Sequence, residues 1–520
     1  MKRIVIIIFL FLQTLSLVSQ ARFNRIYRLD TGNVLATVFF SMRIAGNKIY
    51  TSGTNIVPLD STSGRFVNSG ILTQFDLLGN IVKNNYYRQG AENCFFYDDV
   101  MVIDRNRVNL IGMSFESSIT YLATNYNGDE IIRKKYYPTT FPTTAYSNPA
   151  SMVKFGNGYA LTAYNAFFTR TPTQASVIII DTLGSIIKTF DFEAGRLNCG
   201  PGAILMNKNK NLTFSTSQFQ GNDTDSGYVY VSKIREVDSS GTTLWSYSTP
   251  ASRYIICTKF AQLANGNYLI WGTEELARIE FNGTRWVRQI YGAVPYIAEI
   301  SPQRGLVWER KFQLETGSRL QCLKILRDSS IVLTGAYDDG FYSTSAFLIR
   351  LNSRGDSIYR RNFKTPEFVS DRIVYYPNQI EELLNGDLLI GGYLMNNRRV
   401  TEPGTGQWGW LVRTDSLGCS LQPSSCRVAT KEIENGPLSI NVFPNPVSAQ
   451  LTVDYAFTEL PKDATLQITD ILGRTVYRQK MVNKQGQIIV EMATLQTGLY
   501  LASVHSEQHI LWQTKVAVQR

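Results

Sequence analysis

The segment AFLIRLNSRGDSIYRRNF, residues 346–363, shows the repeating unit of the chain. A hydrophobic strand leads into Asp or Asn, two variable residues and Gly, and a second strand then ends in aromatic residues. The acid or amide side chain caps such a turn, and Gly adopts the positive φ that the turn requires. The same phrase, looser in one copy, starts at Ile71, Tyr121, Ser176, Lys233, Ile297 and Gly409, which makes seven copies.

A second element, a turn followed by a short hydrophobic strand, alternates with the first. Its seven copies begin 51 to 64 residues apart, at Asn47, Asn106, Asn157, Lys210, Asn265, Ser329 and Asn385. Units of this length with about four strands each are typical of propeller blades, whereas solenoid repeats are shorter. We therefore predict an all-β chain with a seven-bladed β-propeller over residues 22–428.

The seventh copy of the phrase lacks the aromatic strand that follows the other six. Its turn, Asp415 to Gly418, continues into CSLQPSSC instead. The segment Arg22–Leu29, RFNRIYRL, resembles the missing strand. We predict that it completes the last blade and closes the ring, which would hide sheet edges that promote aggregation.

The unit between Asn265 and Ser329 is irregular because it contains two phrase-like segments. It carries either an inserted strand or hairpin, or an eighth, truncated blade. The interval is too short for two blades, so the prediction stays at seven.

The first residues, Met1–Ala21, are typical of a secretory signal peptide. Lys2 and Arg3 precede an apolar run, Ile4–Leu12, that is short for a membrane span, and small residues follow at the expected cleavage region. We expect the mature protein to begin near Arg22 and to be secreted.

Composition excludes several kinds of site. The formal net charge is +10, and the basic residues are scattered, so no nucleic-acid partner is expected. The two histidines are His505 and His509, which leaves the repeat region without one. A Ser-His-Asp or histidine-ligated metal site is therefore excluded there, whereas chemistry based on carboxylates, Tyr or Arg remains open.

Six cysteines accompany the predicted export, which permits disulfides. Cys419 and Cys426 flank a turn-like spacer, and we predict a disulfide between them. The pairing of Cys94, Cys199, Cys257 and Cys322 stays open, and buried free thiols are the simplest interpretation of these four.

The character of the chain changes after a predicted linker, residues 429–437. Residues 438–520 contain six or seven short alternating strands, which predict a small Ig-like β-sandwich. Three short motifs and a lysine stand out within it: Phe443-Pro444-Asn445-Pro446, then Asp470 to Gly473-Arg474, then Gly498-Leu499-Tyr500, and finally Lys515.

In the order and spacing of these motifs, the C-terminal unit resembles the type A sorting domain of the type IX secretion system. The resemblance implies a Gram-negative protein that the outer-membrane translocon recognises and exports. It also implies a domain that is usually cleaved, with the cargo released or attached to surface lipopolysaccharide. The alternative is an ordinary Ig-like adhesion module. The repeat region is similar to uncharacterised propellers that precede such domains, a resemblance that brings no catalytic residues.

Two polar segments of the repeat region are candidate sites with structural alternatives. Asp238 to Trp245 resembles the Asp-box turn of sialidases, but its Asp-to-Gly spacing is one residue too long and the phrase recurs as a turn. Asp223 and Asp225 precede Gly227 as in half of a calcium loop, without the later acid that completes one. We assign no cofactor and leave a weak calcium site open.

Aromatic residues and long connections are the other candidates. Trp286, Trp408 and Trp410 have ring faces that suit sugar stacking, although aromatics at regular positions of a repeat are typical of core. The longer connections are the better places for a binding face: 57–69, 138–149 and 395–406.

These features predict a secreted or cell-surface propeller that acts as a binding or scaffold module for a glycan or protein ligand. No catalytic residue is assigned. The alternative is a carboxylate-based glycoside hydrolase or lyase, which would need a pair of acids about 5–10 Å apart in the central channel. A structural part of envelope or motility machinery is a third hypothesis.

Overall fold

The structure is a computed structural model that describes residues 22–29, 36–58, 66–88, 94–96, 100–104, 106–114, 118–136, 146–166, 173–195, 200–220, 229–250, 253, 255–281, 286–312, 314, 318–338, 343–365, 373–396, 406–420, 438–457, 460, 463–470, 474–506 and 509–519. These residues form 36 strands, and no helix long and apolar enough to cross a membrane occurs among them. The chain divides into two compact units, Met1–Leu421 and Gln422–Arg520. The predicted signal peptide, residues 1–21, and linker, residues 429–437, lie outside the described residues.

In the first unit, strands inside the sheets, such as Arg107–Ser114 and Ser118–Asn125, are buried along almost their whole length, as expected for sheets covered on both faces. The unit contains 29 strands. In chain order they are β1 (Phe23–Tyr27), β2 (Ala36–Ala45), β3 (Lys48–Pro58), β4 (Phe66–Asp76), β5 (Ile81–Tyr87), β6 (Cys94–Phe95), β7 (Met101–Asp104), β8 (Arg107–Ser114), β9 (Ser118–Asn125), β10 (Glu130–Tyr136), β11 (Tyr146–Phe155), β12 (Gly158–Ala166), β13 (Thr173–Ile180), β14 (Ile186–Gly195), β15 (Gly200–Met206), β16 (Leu212–Gln220), β17 (Val229–Val237), β18 (Thr243–Ser248), β19 (Ile255–Gln262), β20 (Tyr268–Phe281), β21 (Trp286–Ser301), β22 (Gly305–Lys311), β23 (Arg319–Ile325), β24 (Ile331–Asp338), β25 (Ser343–Leu351), β26 (Ser357–Phe363), β27 (Ile373–Glu382), β28 (Leu388–Asn396) and β29 (Gly406–Thr414).

These strands form the seven blades of a β-propeller. Blades one to six are β2–β5, β6–β10, β11–β14, β15–β18, β19–β22 and β23–β26, each an antiparallel sheet. The innermost strand of blade two is split into β6 and β7, which both pair with β8. The first strands of successive blades contact one another, which places them around the propeller axis.

Blade seven is completed by the N-terminal strand. β27, β28 and β29 form three of its strands, and β1 pairs antiparallel with β29 from Phe23↔Arg413 to Tyr27↔Gly409. One parallel bridge, Ala36↔Gln407, continues this sheet into blade one. The predicted closure of the ring by residues 22–29 is confirmed.

The irregular unit is blade five with a lengthened central hairpin. β20 and β21 are 14 and 16 residues long, and they pair out to Phe281↔Trp286. The extra phrase-like segment therefore extends two strands of one blade. Of the two alternatives for this unit, the inserted hairpin is correct and the eighth blade is not.

The Asp/Asn-x-x-Gly turns have the predicted geometry. In blade one, the backbone N–H groups of Leu78 and Asn80 donate to Asp76 Oδ1 at 2.9 and 2.8 Å, and Gly79 has φ +80°. An asparagine performs the same capping at Asn125 and Asn352.

The aromatic residues of the phrase join one blade to the turn of the next. The Tyr27 hydroxyl donates to Gly79 O, the Tyr87 hydroxyl to Gly128 O and the Tyr136 hydroxyl to Gly184 O, at 2.6–2.8 Å. Burial raises the pKa of Tyr87 and Tyr136 above the ordinary tyrosine value. An aromatic ring packs on the glycine at three further junctions: Phe190 on Gly241, Trp308 on Gly355 and Tyr359 on Gly418.

The second unit is a two-layered β-sandwich. Its strands are β30 (Leu438–Phe443), β31 (Gln450–Phe457), β32 (Thr465–Asp470), β33 (Thr475–Lys480), β34 (Gln485–Glu491), β35 (Gly498–Ser506) and β36 (His509–Val518). One sheet has the order β30-β31-β34 and the other β33-β32-β35-β36, with a buried core that includes Leu451, Ile468 and Val504 between them.

Candidate functional site

The three sequence motifs of the C-terminal sandwich meet beside its last strand. Asp470 at the end of β32 is opposite Tyr500 near the start of β35. Tyr500 is in turn opposite Val516 of β36, next to Lys515. Motifs separated by about 30 residues in sequence therefore lie side by side in one sheet.

Asn445 fastens the first motif to the same strand. Its side-chain amide donates to Lys515 O at 2.8 Å, and its Oδ1 accepts from the Ala517 N–H at 2.9 Å. The next residue but one continues this contact, because the Val447 N–H donates to Ala517 O at 2.8 Å. The segment that contains Phe443–Pro446 is thus hydrogen-bonded to the last strand, β36.

The second and third motifs differ in exposure. Arg474 pairs with Asp470 at 2.7 Å, and its side chain is 75% exposed. Gly498 and Leu499 are exposed, whereas Tyr500 is buried and its hydroxyl donates to Gln496 O. Gly473 lies outside the described residues.

Comparison with protein families identifies this unit. Residues 441–519 match the family described as the secretion system C-terminal sorting domain. The C-terminal unit is a sorting domain of this family. The sorting domain connects the protein to the type IX secretion machinery, and it implies export across the outer membrane to the cell surface or the extracellular space.

Solved structures with similar folds cover most of the chain. PorZ, a surface component of the type IX secretion system of Porphyromonas gingivalis, is 13% identical, with a TM-score of 0.29 over 93% of this chain and 70% of that chain. The propeller domain of the Trilobed protease from Pyrococcus furiosus is 10% identical, with a TM-score of 0.41 over 73% and 94% of the two chains. A protein of unknown function from Dyadobacter fermentans is 10% identical, with a TM-score of 0.40 over 74% and 97%. No curated protein matches the chain.

The propeller contains a cavity of about 520 Å³ where the innermost strands converge. Six blades contribute to its wall, through β2, β11, β15, β19, β23 and β27. The volume falls within the range of about 300–1,000 Å³ that is usual for small-molecule sites. Its charged lining residues are Arg43, Lys259, Lys324 and Glu381.

Glu381 is paired with two of these cations. Its carboxylate lies 2.8 Å from Lys324 Nζ and 3.6 Å from Arg43 Nη1. Arg43 also donates to Gln379 Oε1 at 3.5 Å. The described wall of the cavity therefore contains one carboxylate, whereas the glycoside hydrolase alternative calls for two.

A second group of charged residues lies in blade five, outside the cavity wall. Arg253 donates to both Glu274 and Glu309 at 2.7–3.1 Å, and Lys311 also bonds Glu274. Burial opposes ionisation of Glu274, but the hydrogen bonds and charges of Arg253 and Lys311 lower its pKa below the ordinary glutamate value. The Tyr296 hydroxyl donates to Glu309 at 2.9 Å. The arrangement is an ion-pair network that joins β20, β21 and β22 of this blade to Arg253, which precedes β19.

The segment that resembles an Asp-box is one of the structural turns. Asp238 Oδ1 accepts from the backbone N–H groups of Ser240 and Thr242 at 2.8 and 3.0 Å, and the Ser240 side chain is the main reason that its pKa is lowered. Trp245 stacks on Tyr268 of the next blade, with ring centroids 5.4 Å apart. This geometry supports the structural alternative for the segment.

The tryptophans proposed as sugar platforms are core residues where they are described. Trp408 and Trp410 are 3% and 0% exposed, and Trp410 Nε1 donates to Asn24 of the closing strand at 2.7 Å. The side chain of Trp286 and residues Asp223 and Asp225 lie outside the described residues, so the weak calcium site stays a prediction.

The cysteines are only partly described. Cys419 is disulfide-bonded, and Cys426 lies outside the described residues, so their pairing also stays a prediction. Cys257 and Cys322 are buried free thiols, and burial raises the pKa of Cys257.

Sequence reasoning missed the cavity residues Lys259 and Trp271. Both belong to blade five, the irregular unit. Lys259 precedes the repeated element that begins at Asn265, and Trp271 lies within that element. The available signal was the position of Lys259 on the first strand of a blade, which is the strand that faces the axis.

Proposed function

We propose that the protein is a binding or scaffold propeller that its sorting domain delivers to the cell surface or beyond. The observation that carries this proposal is the axial cavity, because six blades supply its wall and it has the size of a ligand site. The ligand would enter the cavity from one face of the propeller. Cleavage of the sorting domain, or attachment of the product to lipopolysaccharide, belongs to the same proposal.

The two faces of the propeller favour one direction of entry. The capped turns, such as those at Asp76 and Asn125, lie at one end of the blades. The connections named as binding loops leave the opposite end, where β3 stops at Pro58, β11 starts at Tyr146 and β28 stops at Asn396. Longer connections on a rigid scaffold are the usual carriers of recognition.

The export part is tested by deleting residues 438–520 from the chromosomal gene. We expect the propeller to accumulate inside the outer membrane, measured by fractionation and immunoblotting. Unchanged secretion would contradict delivery by this domain. A Lys480→Ala chain, altered at an exposed ion pair within the same domain, is the matched control and should be secreted normally.

The binding part is tested with the secreted protein purified from culture medium. It is screened against immobilised polysaccharides and glycoproteins, and the soluble fraction is analysed for released products. Binding without product supports the proposal. Product release would replace it with the hydrolase or lyase alternative, and failure to bind any component would contradict it.

A further inference from the structure

One side of the axial cavity has a buried indole N–H for which the described residues supply no acceptor. Lys259 of β19 and Trp271 of β20 are opposite each other in the sheet, and both line the cavity. Trp271 is 7% exposed, and no acceptor for its Nε1–H occurs among the described residues. A buried donor without a partner costs about 1–3 kcal/mol, so it calls for an acceptor from outside the chain, such as an ordered water or a bound ligand.

Lys259 adds a positive charge beside this donor. Its ammonium donates to Gln321 O at 3.2 Å, and the described part of the chain supplies it with no carboxylate. The one acid of the described wall, Glu381, is already shared between Arg43 and Lys324. Among the described lining residues, three cations thus face one anion, which gives this part of the wall an excess of positive charge.

We propose that the axial cavity binds a small organic oxyanion, with Lys259 and Trp271 Nε1 as its donors. The proposal rests on the proposed binding function and names the class of ligand that it takes. A carboxylate or sulfate oxygen can accept from the ammonium and the indole N–H together. Charge-assisted hydrogen bonds of this kind are about twice as strong as neutral ones, so the anionic group would dominate selection. A sugar acid combines this group with a ring that fits the cavity.

The test is titration calorimetry of the purified full-length protein with three probes: D-glucuronate, inorganic sulfate and D-glucose. We expect glucuronate to bind, with an affinity that falls as NaCl is raised because the attraction is screened. Sulfate distinguishes the sources of the oxyanion. Equal binding of sulfate assigns the site to oxyanions in general, and its failure to bind assigns the site to carboxylates.

Two variants locate the binding. Lys259→Met should weaken glucuronate binding about 10-fold or more, and Trp271→Phe, which keeps a ring but removes the N–H, about 3- to 10-fold. Lys188→Met is the control, because Lys188 bonds Ser239 O and Ser240 O at a blade junction away from the cavity lining. It should bind as the unaltered protein does.

The outcomes separate the two proposals. If glucose binds as well as glucuronate, or if both cavity variants bind glucuronate normally, the oxyanion proposal fails while a binding function stands. If no probe binds and the glycan screen is also negative, both fail. Should Lys259→Met not fold, Trp271→Phe and the salt series decide the question alone.

Discussion

Two segments, Asp76 to Asn80 in the propeller and Asp470 to Arg474 in the sorting domain, have the same hydrogen bonds between their end residues. In both, the first residue donates its N–H to the carbonyl of the fifth at 3.0 Å. In both, the aspartate Oδ1 accepts from the N–H of that fifth residue, at 2.8 Å from Asn80 and 2.9 Å from Arg474. The similar sequences DLLGN and DILGR are thus closed by the same pair of hydrogen bonds at their ends.

The surroundings of the two turns differ. The propeller turn is covered by blade seven, which donates from the Tyr27 hydroxyl to Gly79 O and from Arg413 to Leu77 O. In the sorting domain, Arg474 bonds back to its own aspartate and stays exposed. The comparison shows that the local sequence determines the hydrogen bonds that close the turn. The surrounding residues determine whether the turn is covered at a blade junction, as at Asp76, or carries an exposed side chain, as at Arg474.

The largest effect is expected from Arg413→Leu, at the junction where blade seven covers the Asp76 turn of blade one. Arg413 and Asp387 form a buried pair, 2.8 Å apart, and the substitution leaves Asp387 without its cation. We expect a loss of about 3–5 kcal/mol in the free energy of unfolding by urea. Arg310→Leu, at the exposed Arg310–Asp356 pair of another junction, should cost at most about 1 kcal/mol. Equal losses of stability in the two variants would show that burial of the Arg413–Asp387 pair does not make this junction stronger than the exposed one.

The next effect compares a covered turn with an uncovered one. Gly241 and Gly305 both have positive φ, but a Cβ on Gly241 would lie 2.2 Å from the Phe190 ring and one on Gly305 would meet nothing within 4 Å. Gly305→Ala should cost about 1–2 kcal/mol for the left-handed backbone alone. Gly241→Ala should cost about 1–3 kcal/mol more, because the ring must move. Thermal unfolding of the two variants measures the difference, and a reversed order would refute the packing argument.

A smaller effect concerns acid. Burial opposes ionisation of Asp76, but hydrogen bonds from Asn80 and Leu78 and the charge of Arg25 hold its pKa below the ordinary value of 3.8. A depressed folded pKa gives stability that is present above the unfolded value and is lost as pH falls through the folded one. Asp76→Asn removes this titrating group, so the variant should lose less thermal stability below about pH 4 than the unaltered protein loses. Asn125 and Asn352 cap equivalent turns without titrating. An unchanged acid profile would contradict this assignment.

The smallest expected change in stability is that of Arg474→Ala. Its ion pair is largely exposed, so the free energy of unfolding should change by less than about 1 kcal/mol. If the exposed Arg474 side chain belongs to a recognition surface, the secreted fraction should nevertheless fall well below that of the Lys480→Ala control. Normal secretion of Arg474→Ala would show that the secretion machinery does not recognise this side chain.

Local periodicity in the sequence was enough to determine much of the fold. The phrase and its spacing predict seven blades, because each blade repeats the same capped turn. The closing strand is also predictable. The seventh copy of the phrase lacks its aromatic strand, and the aromatic segment 22–29 belongs to no other copy. The sorting motifs are also local, and they are recognisable without knowledge of their contacts.

Only the tertiary structure decided how distant parts combine. Two phrase-like segments in blade five could be an eighth blade or a long hairpin, and strand pairing distinguished them. Trp408 and Trp410 could face solvent or core, and the closing strand covers them. The cavity brings Arg43 to Gln379, 336 residues away, and adds Lys259 and Trp271 from another blade. No local sequence pattern predicts that these residues line one cavity, because whether a side chain points toward the axis depends on how whole blades pack.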